Sequence, residues 1–103
     1  MATPKVSQRV VVQSSKGLHI RPSEMVAKAA MQFESNISIE LEGHTVDAKS
    51  ILHIMTLGAQ HGCEVKVMAE GADAQQAVQR MVQLIGADLD GDQSEQVTKE
   101  HAG

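Results

Sequence analysis

The sequence predicts an α+β fold: a two-layer, open-faced sandwich in the order β-α-β-β-α-β-α, with a four-stranded, mainly antiparallel sheet and its helices on one face. Three observations predict it. Segments that alternate polar with apolar residues interleave with segments whose apolar residues recur at helical spacing. Glu42-Gly43-His44 joins two of the alternating segments as a hairpin turn, which makes them antiparallel neighbours. The chain has 103 residues, enough for one hydrophobic core and little more.

Lys5 to Val12 is rich in β-branched residues and sets Val6, Gln8, Val10 and Val12 on one face, a first strand. Gln13 to Gly17 is a polar loop. Pro22 is expected at the first helical position, where a missing N–H has no consequence. Met25, Val26, Ala29, Ala30 and Phe33 follow at helical spacing, predicting a helix over 21–34. Ile37, Ile39 and Leu41 alternate with Ser38, Glu40 and Glu42 in a half-buried strand, and the turn leads into a short strand containing Val46. Ser50 is expected to cap a short helix running to Leu57, with Gly58 just beyond. Residues 64–70 alternate again around Val65, Val67 and Ala69. Asp73 with Gln76 is a capping-box signature before a helix that buries Ala77, Val78, Met81, Val82 and Ile85 and stops at Gly86. The chain thus divides into a domain over 1–87 and a tail over 88–103 that is acidic, aperiodic and expected to be disordered.

Composition narrows the function. Phe33 is the only aromatic residue, so the core must be built from Val, Ile, Leu, Met and Ala. Net charge is -4, but five acids and a single base fall from Asp88 onward, leaving eight of each before it. A neutral body with a single aromatic ring argues against a nucleic-acid interface. Cys63 is alone, which rules out an internal disulfide and a zinc-type cluster. With no apolar run near the ~20 residues of a membrane span and no signal-peptide region, the expected setting is cytoplasmic, without membrane insertion.

Chemistry concentrates in Gly17-Leu18-His19-Ile20-Arg21-Pro22, which sets a histidine immediately before a helix. The unpaired amides and dipole of that first turn favour an anion beside the imidazole. The same field favours the uncharged, nucleophilic ring. Arg21 brings N–H donors suited to phosphate oxygens, and Gly17 permits close backbone approach. Nucleophile, anion cradle and counter-charge lie in one short segment, as a phosphohistidine site requires.

This segment resembles the active-site signature of HPr, the histidine-containing phosphocarrier family of the phosphoenolpyruvate-dependent sugar phosphotransferase system. Ala48-Lys49-Ser50-Ile51-Leu52-His53-Ile54-Met55-Thr56-Leu57 resembles that family's short second helix, and Glu70-Gly71-Ala72-Asp73 its last strand-to-helix turn. The resemblance covers about residues 5 to 87 and implies an HPr-like fold. It also implies a carrier, not an enzyme: His19 would take a phosphoryl group on Nδ1 from phospho-enzyme I and pass it to a IIA-type component. Arg21 would stabilise that group. Ile20, Ile51, Leu52, Ile54 and Met55 would form the docking surface for successive partners. Ser50, first of all a helix cap, corresponds to the serine that an ATP-dependent HPr kinase phosphorylates in Gram-positive members, which adds such a kinase and a transcriptional regulator as partners.

Four positions depart from the family pattern: Lys16, Ile20, Glu24 and His53, all near the site or docking surface. Glu24 and His53 sustain an alternative reading, a regulatory interaction protein controlled by serine or histidine phosphorylation without a direct role in sugar transport. A plain anion-binding module is a third, against which intact His19 and Arg21 count. No cofactor and no metal is expected: His44 is a turn residue, His61 and Cys63 flank Gly62 without further ligands nearby, and His101 belongs to the tail. A relay that meets partners in turn is expected to be a monomer.

Overall fold

The computed structural model describes residues 3–89. Its elements follow the predicted order: β1 (Lys5–Val11), α1 (Ile20–Ala30), β2 (Asn36–Leu41), β3 (His44–Asp47), α2 (Ile51–Thr56), β4 (Glu64–Glu70) and α3 (Ala74–Ile85). The sheet has the spatial order β1-β4-β2-β3, and every neighbouring pair is antiparallel. Glu42 (φ 51) and Gly43 (φ 84) turn the β2–β3 hairpin and bring Leu41 opposite His44. Both turn residues have positive φ, as a turn matched to strand twist demands.

Alternation along the strands decides which face is covered. Ile37 and Ile39 of β2 and Val65, Val67 and Ala69 of β4 are buried. They meet Val26, Ala27 and Ala30 of α1 and Ala77, Val78, Met81 and Ile85 of α3 in one core. The outward residues Ser7, Ser38, Lys66 and Met68 line a shallow groove on the open face of the sheet, which includes none of the predicted site residues. Gln8 is exposed, and Val6 and Val10 are half-buried, because β1 is an edge strand. None of the described helices is long and apolar enough to cross a membrane.

Three local expectations are corrected. Helix α1 starts at Ile20, which puts Pro22 at the third helical position. The first intrahelical bond runs from the Ser23 amide to the His19 carbonyl (2.9 Å), so the missing N–H of Pro22 still falls where no helical acceptor exists. Helix α1 also ends at Ala30, short of the predicted 34. Gln32 and Phe33 bond back only three residues, so Phe33 leaves the helix while still packing on the core. Finally, Asp73 does stand at the N-cap of α3, but its side chain makes no capping bond. Its carboxylate instead accepts from the amides of Glu34 (2.9 Å) and Ser35 (3.0 Å) and from the Ser35 hydroxyl. At the other end, Leu89, placed in the tail by sequence, is buried with the core; tail residues 90–103, and His101 with them, lie outside the described residues.

Candidate functional site

The segment 14–19 is shaped before it reaches the helix. The Gly17 amide closes a turn onto the Ser14 carbonyl (2.9 Å), and the Leu18 amide bonds to the Ala59 carbonyl (2.9 Å). Gly17 has φ +76, and a Cβ there would lie 2.3 Å from the Ala59 oxygen. Only glycine permits this approach. The loop is thereby docked on the segment that follows α2, and the chain emerges from it directly into α1.

His19 is the N-cap of α1, half-exposed, with extended backbone (φ -83, ψ -163) and no side-chain capping bond. The backbone therefore sets His19 at the helix mouth, partly open to solvent. In the first turn the amides of Ile20 and Arg21 have no intrahelical acceptor, and no acidic residue there competes with an incoming anion for them. The Arg21 side chain is exposed on the same turn. Glu24, one of the four departures from the family pattern, lies 3.9 Å from Lys28 in an i,i+4 pair. An imidazole, helix amides and a guanidinium in this order can accept a phosphoryl group and hold its oxygens.

Sequence reasoning missed Ser23. It is fully buried, and its hydroxyl donates to the Leu18 carbonyl at 2.9 Å. The available signal was a small polar residue on the otherwise apolar face of α1, directly after Pro22.

The predicted docking residues divide. Ile20 (64 % exposed), Leu52 (74 %) and Met55 (38 %) are open to solvent on α1 and α2, which pack against each other. Ile51 is half-buried against the core. Ile54 is wholly buried, so it belongs to the core and not to the docking surface; it faces inward while Leu52 and Met55, one turn apart, face out. Ser50, half-buried, caps α2 as expected, its hydroxyl accepting from the His53 amide at 3.2 Å. His53 is exposed. Among the described residues no three His, Cys, Asp or Glu side chains are grouped to hold a metal ion.

A small α+β domain that offers a histidine and an arginine at the open mouth of its first helix is a phosphocarrier domain. Residues 6–87 match the family model described as "PTS HPr component phosphorylation site". The chain belongs to the HPr family of the phosphotransferase system. It is 38% identical over 81 residues to a multiphosphoryl transfer protein of Vibrio cholerae serotype O1; the match takes in 76% of this chain but only 20% of that much longer relative. Among solved structures, the phosphocarrier protein HPr from Bacillus anthracis str. Ames superposes with a TM-score of 0.76 at 36% identity, covering 79% of this chain and 96% of that one. The Bacillus subtilis catabolite repression protein Crh, crystallised as a domain-swapped dimer, gives 0.67 at 33% identity over 82% and 97%.

Proposed function

We propose that this chain relays phosphoryl groups in a sugar phosphotransferase system. His19 accepts the group from phospho-enzyme I on Nδ1 and yields it to a IIA-type component. The P–N bond formed in the first step is the bond broken in the second, so the chain is a stoichiometric carrier and not a catalyst. Arg21 binds the phosphoryl oxygens while the group is held and during transfer. Ile20, Leu52 and Met55, flanked by Ile51, offer an apolar surface to successive partners, and a cytoplasmic monomer suits such serial encounters.

The observation that carries this reading is the position of His19 as N-cap of α1, at a first turn without acids and two residues before Arg21. The test combines the protein with enzyme I and labelled phosphoenolpyruvate. An acid-labile, base-stable phosphoprotein is expected, absent in His19→Ala, and label should move on when a IIA domain is added. Absence of label on the wild type overturns the relay.

Ser50 is proposed in addition as a regulatory kinase site. Its support is the half-buried Ser50 at the start of α2, beside the exposed Leu52, and the likeness to Crh, a catabolite repression protein of Bacillus subtilis. A phosphate there would place negative charge at the docking surface. Incubation with an HPr kinase and ATP, followed by mass spectrometry, should locate phosphate on Ser50; an unmodified residue ends this part of the reading.

A further inference from the structure

Both peptide groups that flank the His19 Cα are tied to a single residue. The His19 carbonyl accepts the Ser23 amide at 2.9 Å, and the Leu18 carbonyl accepts the Ser23 hydroxyl at 2.9 Å. The planes 18–19 and 19–20 rotate about the two soft backbone bonds of His19. Anchoring both planes fixes its φ and ψ, and with them the direction of the Cα–Cβ bond from which the imidazole extends.

The first of these bonds is the ordinary opening of a helix. The second is not. A helical serine usually bonds back to the carbonyl four residues earlier, within its own helix. The Ser23 hydroxyl instead reaches five residues back, past the N-cap, to a carbonyl of the preceding loop. It is fully buried, so solvent does not compete for the bond. The adjacent peptide group is fixed from the other side by the Leu18 amide on the Ala59 carbonyl (2.9 Å).

We infer that Ser23 is a positioning residue for phosphoryl transfer, one that holds the His19 imidazole at the mouth of α1 without touching the phosphoryl group itself. This inference rests on the reading of His19 as acceptor. Transfer demands that the ring nitrogen, the phosphorus and the donor nitrogen line up, and small misplacements of a reacting group lower the rate steeply. Ser23 acts on that alignment. It does not act on docking, since Ser23 is buried while Ile20, Leu52 and Met55 are open to solvent on α1 and α2.

The test compares the full chain with Ser23→Ala and Ser23→Cys, the latter keeping a side chain of similar shape with only a weak donor. Phosphorylation by enzyme I and phosphoenolpyruvate is followed at varied concentrations of each variant, and the His19 ring signals are followed by 15N-resolved NMR. Both variants should lower kcat roughly tenfold, leave KM for the carrier unchanged, and shift the His19 ring signals. A variant that folds and matches wild-type kcat, or that changes only KM, overturns the positioning role while the acceptor reading stands. If the wild type takes no phosphate, the acceptor reading falls, and ring signals identical in wild type and Ser23→Cys then overturn the positioning role as well.

Discussion

Asp73 accepts from both the amide and the hydroxyl of Ser35, 38 residues earlier in the chain. With the Glu34 amide as a third donor, the carboxylate closes the α1–β2 connection onto the start of α3. The Ser35 hydroxyl, followed by the Glu34 amide, holds its pKa below the usual carboxylate value of 3.8. A carboxyl whose folded pKa is depressed contributes stability that is complete above the unfolded value and lost as pH falls through the folded one. Asp73→Ala should therefore lower Tm by several degrees at neutral pH, with the gap to wild type narrowing only as pH drops below about 4. Thermal melts across pH 2–7 check this. A gap independent of pH would show that packing, and not the ionised carboxylate, carries the effect.

Why that clamp was missed bears on what a sequence reveals. Asp73 and Gln76 carry the local signature of a capping box, and the helix does begin there, but tertiary donors from 34 and 35 outcompete the helix's own amides for the carboxylate. Strands β2 and β4 were legible because period-two alternation leaves one solution for which face is buried. His19 and Arg21 were legible because the site is local in sequence. Ile54 was not placed correctly, since a short helix apolar on most sides gives no periodicity to separate Leu52 and Met55 from the residue that turns inward. Ser23 escaped because its role lies in a bond to the loop before the helix, which no helical pattern encodes.

Gly17→Ala should damage both stability and transfer. Its new methyl would meet the Ala59 oxygen at 2.3 Å and the Gln60 Cα at 2.8 Å, both backbone atoms, at φ +76. Relief requires the loop to move off 59–60, breaking the Leu18–Ala59 bond. Destabilisation of about 2–4 kcal/mol is expected, readable by urea titration, along with slower phosphorylation of His19. Wild-type stability in this variant would mean that the loop tolerates another path.

The split within α2 predicts opposite outcomes for neighbouring apolar residues. Ile54→Ala opens a cavity in the core and should cost about 2–5 kcal/mol of stability. Leu52→Ala, at a side chain 74 % exposed, should change stability by less than about 0.5 kcal/mol while raising KM for enzyme I. Urea titrations and transfer kinetics on the pair separate core from surface. A Leu52→Ala variant with unaltered KM removes Leu52 from the docking surface.

Arg21→Ala should leave the fold intact, because the side chain is exposed. Loss of a charged donor at a transferring phosphoryl group lowers rates by roughly 10–100-fold where that donor acts in the transition state. The expected signature is reduced kcat with little change in KM, since docking rests on Ile20, Leu52 and Met55. Unaltered transfer rates would deprive Arg21 of its assigned role.

Ser14 and Ser23 stand on either side of the acceptor loop, both fully buried, yet the same substitution should act on them with opposite sign. The Ser23 hydroxyl is satisfied by the Leu18 carbonyl, so Ser23→Ala strips a buried acceptor of its donor and should destabilise by about 1–3 kcal/mol. The Ser14 hydroxyl finds no hydrogen-bond partner among the described residues, although its own carbonyl is engaged by the Gly17 amide. It carries the desolvation of a polar group with no bond to offset it. Ser14→Ala leaves the backbone turn in place, removes that cost and should stabilise the domain by about 1 kcal/mol, raising the urea midpoint without changing the slope of the transition. Phosphoryl transfer should be retained, since the Ser14–Gly17 turn that shapes the loop is made by main-chain atoms alone. A lower midpoint in Ser14→Ala would reveal that this hydroxyl is bonded after all and that the loop is held by two side chains instead of one.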